Sequence, residues 1–239
     1  MSADTPSSVR DQIPLSPTPR TTLNRHHDRA SVDRRDLYDV LEAALICHLG
    51  VLIDGAPLVL PTAFGVDVDG PDEGGTLYLH GSVASASLRA APYGALCVSF
   101  TVLDGLVLAR SAFHHSMNYR SAVVIGKARM VDEPDEKRRA LDLVVDHAVP
   151  GRSSTLRTHT RKELAATSVI ALSLAEASVK QRSGDPVDDA ADLQNGGWAG
   201  VLPLRLVTTG VVTAADAVEQ PPPADVLARA AALAWRPGP

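Results

Sequence analysis

The chain has 239 residues, 45% hydrophobic and 21% charged, with 23 Lys plus Arg against 28 Asp plus Glu for a formal charge of −5. That usage excludes wholesale disorder and collagen-like or coiled-coil chains, and at roughly 150 residues per domain it allows one large domain or two small ones. No Lys/Arg-rich run with interleaved aromatics occurs, which argues against nucleic acid and anionic membrane as partners.

Residues 1–30 are rich in Pro, Ser, Thr and Arg without periodicity and predict a flexible arm. Asp33 can cap a helix reaching Leu45, with Leu37, Val40, Leu41, Ala44 and Leu45 on one face. Ile46 to Ile53 predicts a strand, Asp54-Gly55 a hairpin turn, and Pro57 to Val68 a returning strand. Thr76 to His80 is a short strand, followed by a helix from Val83 to Ala91 that Ser82 can cap. Ala95 to Leu103 and Leu106 to Phe113 flank Asp104-Gly105 and predict a second hairpin; Tyr119 to Val131 is another strand.

Pro134 opens a helix to about His147, and the spacing of Thr160 and Glu163 predicts a capping box. Ser168 to Ala175 is strand-compatible, Gln181 to Gly197 reads as a surface loop, and Ala199 to Val212 as a strand pair or one long strand. Pro221 to Pro223 break the chain before an Ala-rich helix from Asp225 to Trp235. The pattern predicts an α+β fold, an antiparallel barrel with flanking helices over 31–212, then a linker and C-terminal helix or tail over 213–239.

No secretory signal is visible, and the chain reads as cytoplasmic. Residues 1–20 lack an apolar core, and Leu164 to Ala177 is too short and polar to span a bilayer. Cys47 and Cys97 sit in apolar runs and read as buried free thiols. There is no GxGxxG after a strand, no GxxxxGK[ST], no HExxH and no GxSxG. The pairs His26-His27 and His114-His115 offer at most one ligand per strand face, so no metal site is expected.

Three clusters carry potential chemistry. In Tyr78 to Arg89 a strand enters a Gly and Ser turn, and the hydroxyls of Ser82, Ser85 and Ser87 could help cradle a phosphate; an ordinary capped helix would read the same way. In Phe113 to Ser121, Asn118, Tyr119, Arg120 and Ser121 gather at a strand entrance, where Arg120 could grip a phosphate or simply be an edge-strand Arg. In the third, Trp198 lies among glycines that would let a planar ring approach, or it anchors the last strand. Aromatics are scarce, nine in all, and Phe64, Tyr78, Tyr93, Phe100, Phe113 and Tyr119 fall between residues 64 and 119, where a ring ligand or a barrel core would both place them.

The ordered set Pro57…Pro61-Thr62, Tyr78-Leu79-His80-Gly81-Ser82, Asn118-Tyr119-Arg120-Ser121-Ala122-Val123-Val124-Ile125-Gly126, Glu136-Lys137, Lys162-Glu163-Leu164, Ser178-Val179-Lys180 and Trp198-Ala199-Gly200-Val201-Leu202-Pro203 resembles the pyridoxamine 5′-phosphate oxidase-like, FMN-binding split-barrel family. The likeness is to its flavin-nucleotide-binding branch, which includes nitroimidazole-resistance proteins. It implies a six-stranded split barrel, a homodimer, and FMN at the dimer interface. It implies a cofactor pocket drawn from Pro61, Thr62, His80, Gly81, Ser82, Ser85, Ser87, Asn118, Tyr119, Arg120, Ser121, Lys180 and Trp198, with His80 as a catalytic proton donor.

One departure stands out. Relatives commonly carry Arg or Lys where this chain has Ala86 and Ser87, so Arg89 or Arg120 would have to supply the cation. Three functions follow from the resemblance: an FMN-dependent oxidoreductase acting on a small acceptor, a flavin-binding module without turnover, or a member that has lost the cofactor.

Overall fold

A computed structural model describes residues 13–234. Helix α1 (Arg34–Ala43) starts where the Asp33 carboxylate accepts from the Arg35 amide, and it buries Leu37, Val40 and Leu41. Strands β1 (Cys47–Ile53) and β2 (Ala56–Thr62) form the first hairpin. Its turn residues Asp54 and Gly55 have φ of 51° and 78°, the left-handed pair that a two-residue hairpin turn requires. Strands β3 (Phe64–Asp67) and β4 (Thr76–Ser82) pair next, and the short helix α2 (Ala86–Ala90) follows.

Strand β5 (Ala95–Leu108) runs through the site expected to be a second turn. Its ladder to β6 (Ser116–Lys127) continues on both sides of Asp104, with only a bulge between Leu103 and Gly105. The same dipeptide therefore does two jobs. At Asp54-Gly55 nothing lies beyond the turn, whereas at Asp104-Gly105 both β6 and β10 (Gly200–Pro203) hold the backbone extended. The actual β5–β6 reversal falls over residues 109–115.

The remaining elements are β7 (Arg129–Met130), α3 (Pro134–Ala148), α4 (Arg161–Ala166), β8 (Thr167–Ser173), β9 (Ala177–Arg182), α5 (Ala190–Asn195) and α6 (Ala224–Ala232). The capping box at Thr160 forms as expected. Strand β9 and helix α5 occupy part of the stretch expected to be loop, and only Gly200–Pro203 of the expected final strand is extended in a ladder. Trp235, expected at the end of the last helix, lies outside the described residues.

The strands form a six-stranded sheet, β2-β1-β5-β6-β9 with β10 on β5, and a four-stranded sheet, β3-β4-β8-β7. Their inner faces and α1 enclose an aliphatic core that includes Leu49, Leu77, Leu79, Val98, Val124 and Leu172. Phe64 and Phe100 meet edge-on at 4.9 Å in that core. Tyr78 is buried in a second cluster beneath α3, with Val131, Ala140 and Val169. Three of the six clustered aromatics are thus core residues, while Tyr93 is 90% exposed, Phe113 89% and Trp198 67%. Helix α3 rides directly on β3, where a Cβ added at Gly65 would lie 2.8 Å from the Val144 amide nitrogen.

Residues 13–30 depart from the expected flexible arm. Leu15 and Thr21 are buried, the Ser16 amide donates to the Ala177 carbonyl at 2.7 Å, and Arg20 forms a two-pronged pair with Glu176. Composition missed this because the segment is held by hydrogen bonds more than by apolar area. Its anchor is Arg34, only 1% exposed. The guanidinium donates to the carbonyls of Ile13 at 2.9 Å, Pro14 at 3.4 Å, Leu174 at 2.9 Å and Ala175 at 3.2 Å. The rest of the expected arm, residues 1–12, lies outside the described residues.

Candidate functional site

The sequence-predicted residues fall into four places. His80, Gly81 and Ser82 end β4, and Ser85 and Ser87 flank the start of α2. The Ser85 and Ser87 hydroxyls are 2.9 Å apart, and Ser87 is buried. A Cβ added at Gly81 would lie 2.9 Å from Leu88 Cδ1, the movable end of that side chain, and 4.0 Å from Ser85 Cβ. The Ser82 hydroxyl accepts from the Ala84 amide at 3.2 Å and so holds the turn open rather than capping the helix.

His80 Nδ1 is withdrawn from solvent and has no hydrogen-bond partner among the described residues. Burial lowers the pKa of this imidazole below its ordinary value, so it is neutral at physiological pH. An unpaired buried ring nitrogen costs free energy unless a ligand atom meets it. This corner therefore fits a polar ligand.

The second place is the β6–β9 ladder, where Ser121 lies opposite Lys180, Arg120 opposite Gln181 and Tyr119 opposite Arg182. The Ser121 hydroxyl donates to the Lys180 carbonyl at 3.0 Å. Arg120 meets the Asp104 carboxylate two-pronged, Nε at 3.0 Å and Nη2 at 2.9 Å. That pairing raises the Arg120 pKa further and occupies the fork a phosphate would use. Asn118 is buried beside Arg182, to which its Oδ1 is hydrogen-bonded.

Pro61 and Thr62 form the third place, at the end of the edge strand β2, opposite His48 and Cys47. Trp198 is the fourth. Its indole lies over Gly200, where an added Cβ would come within 2.9 Å of Cζ2. No hydrogen bond among the described residues joins these four places.

Sequence reasoning missed Asp104, hidden in an apparent turn, and Arg182, placed in an apparent loop. The latter was findable, because Ala177-Ser178-Val179-Lys180 alternates apolar and polar residues as a strand does. On the surface nearby, one ligand atom each from His114, Asp189 and Asp192 lies within 4.8 Å of the others.

Two packed antiparallel sheets with helices at their margins form a split barrel. The pyridoxamine 5′-phosphate oxidase family model matches residues 33–181, and the chain belongs to that family. The chain is similar to the flavocytochrome Anf3 of Azotobacter vinelandii, with 35% identity over 90% of this chain and 98% of that one and a TM-score of 0.82. It is also similar to the FAD and haem binding protein of Mycobacterium smegmatis, at 39% identity over 84% of this chain and 97% of that one, TM-score 0.77. A Bacteroides thetaiotaomicron structure assigned to 5-nitroimidazole antibiotic resistance shares the fold at 23% identity and TM-score 0.52, over 63% of this chain and 85% of that one. No curated protein matches the chain. Among the described residues no helix is long and apolar enough to cross a membrane.

Proposed function

We propose that the chain is a flavin-dependent oxidoreductase that acts on a small acceptor as a cytoplasmic homodimer. The observation that carries the reading is the end of β4, where His80 Nδ1 is buried without a hydrogen-bond partner among the described residues, just before the turn that leads to the Ser85–Ser87 hydroxyl pair. Bound there, a flavin such as FMN would supply hydride and electron transfer. Gly81, Ser82, Ser85 and Ser87 would hold its phosphate, and Thr62, Tyr119 and Trp198 would meet its ring. His80, kept neutral by burial, still carries one N–H and one lone pair. It would therefore donate or accept a single proton without forming an imidazolium beforehand.

The homodimer reading is supported by β2, an edge strand with Leu58 and Val59 exposed, since such an edge is normally covered. The cytoplasmic reading is supported by Cys47 and Cys97, which are unpaired. Burial pushes the Cys47 thiol up to about 12, so it is inert rather than redox-active.

A second reading, a flavocytochrome, is favoured by the likeness to the two haem-containing proteins together with the free imidazole nitrogen of His80. A visible spectrum of the purified protein tests both. Flavin bands alone support the first reading, flavin bands with a haem Soret band support the second, and neither after reconstitution with FMN, FAD and haem rejects both. Chromatography of the released flavin identifies FMN or FAD. Bound flavin that neither NADH nor NADPH reduces would mark a binding module instead. FMN binding that appears only in Ala86→Arg would mark a member that has lost the cofactor.

A further inference from the structure

The Asp104–Arg120 pair forms a wall between two cavities of about 680 and 900 Å³. The larger is bounded by Arg29, Arg182, Ser183, Asp185, Pro186 and Val187. Arg182 ends β9 and is held by three neutral oxygens. Nη1 donates to Asn118 Oδ1 and to the Gly184 carbonyl at 3.3 Å, and Nη2 to the Asp185 carbonyl at 3.0 Å. Asn118 is itself 9% exposed and locked by donating Nδ2 to the Gly184 carbonyl at 3.1 Å. The guanidinium is thus fixed in orientation and not neutralised.

Arg29, half-buried on the same cleft, makes no side-chain hydrogen bond or ion pair among the described residues. Two unneutralised guanidiniums facing one cavity are a receptor for a phosphate oxyanion. The cavity is far larger than a phosphate and within the range of roughly 300–1,000 Å³ that holds whole small ligands. Pro186 and the 74% exposed Val187 offer apolar surface to a base. The Asp28 and Asp185 carboxylates can accept ribose hydroxyls.

We infer that this cleft holds the adenosine diphosphate portion of a dinucleotide. The inference rests on the flavin reading only in its choice of source, because FAD and the reduced nicotinamide dinucleotides share that portion.

The test is calorimetric titration of the full chain with ADP at low ionic strength, using the wild type, Arg182→Met, Arg29→Met and Ser183→Glu. Ser183 is exposed, so its variant adds a repelling charge to the cleft without disturbing the Asn118 lock. The wild type should bind ADP more tightly than inorganic phosphate. Each variant should weaken ADP by about tenfold or more, the loss expected when one charge-assisted bond is removed. If FAD is the source, the wild type binds FAD more tightly than FMN, and Arg29→Met narrows the difference while leaving FMN affinity unchanged. If the nicotinamide dinucleotide is the source, Arg29→Met raises its KM with kcat and flavin content unchanged.

Absence of ADP binding to the wild type, or equal binding to Ser183→Glu and to a folded Arg182→Met, overturns the inference. FMN binding without ADP binding rejects the cleft and leaves the flavin reading standing; ADP binding without any flavin does the reverse.

Discussion

Replacing Arg34 with methionine should destabilise the protein by about 2–3 kcal/mol. The side chain is 1% exposed and makes two bonds at 2.9 Å, to the Ile13 and Leu174 carbonyls. At about 1.5–3 kcal/mol for each bond from a charged donor, their loss costs roughly 3–6 kcal/mol. The two longer contacts to Pro14 and Ala175 add little. Against this, methionine of similar length removes the desolvation cost of a buried guanidinium, several kcal/mol, so about half the loss survives. At roughly 2–4 °C per kcal/mol for a chain of this size, the melting temperature should fall by about 4–12 °C. Urea denaturation followed by circular dichroism gives the free energy, and limited proteolysis should show new cleavage within residues 13–30. Arg34→Lys should restore less than half, because one ammonium cannot reach both 13–14 and 174–175. A methionine variant as stable as the wild type and equally resistant to protease would refute the clamp.

Three further outcomes are expected. Gly65→Ala forces α3 off β3 and should cost about 1–3 kcal/mol in urea denaturation, as overpacking does; unchanged stability would mean that the helix is not seated there. Tyr78→Phe removes the 2.9 Å bond from the buried phenol to Glu136 Oε1 and should cost about 1–2 kcal/mol. Glu136 keeps its pair with Arg129, so the loss should not spread to α3. His147 stacks on Phe64 at 4.1 Å, and its Nε2–H donates to the Ala44 carbonyl at 2.7 Å. Burial holds its pKa below the ordinary value, so the fold prefers the neutral ring. Stability should then be full above about pH 6.5, the value for the unfolded chain, and fall as pH drops toward the folded value. His147→Leu should flatten that slope in denaturation measured across pH 5–8; an unchanged slope would clear His147 of it.

What the sequence disclosed was mostly local. The Asp33 cap, the Asp54-Gly55 hairpin, the Thr160 capping box and the helix opening at Pro134 each depend on residues within a few positions. Asp104-Gly105 looked identical to the first hairpin, yet ladders to residues 116–127 and 200–203 decided its conformation. Arg34 looked like an ordinary first-turn residue, because its acceptors lie 140 and 141 positions away as well as nearby. The site was legible as residue types and in family order. Its division into four separate places was not, nor was the pairing of Arg120 with Asp104, since each depends on which strands become neighbours.

The Arg34 clamp also orders events during synthesis. Arg20 leaves the ribosome 156 positions ahead of Glu176, and Arg34 leaves it 140 positions ahead of Leu174, the partners that complete their anchorage. At about 5–20 residues per second, that interval is on the order of ten seconds. For that time Leu15 and Arg34 have no finished seat, so a segment translated early is among the last to dock.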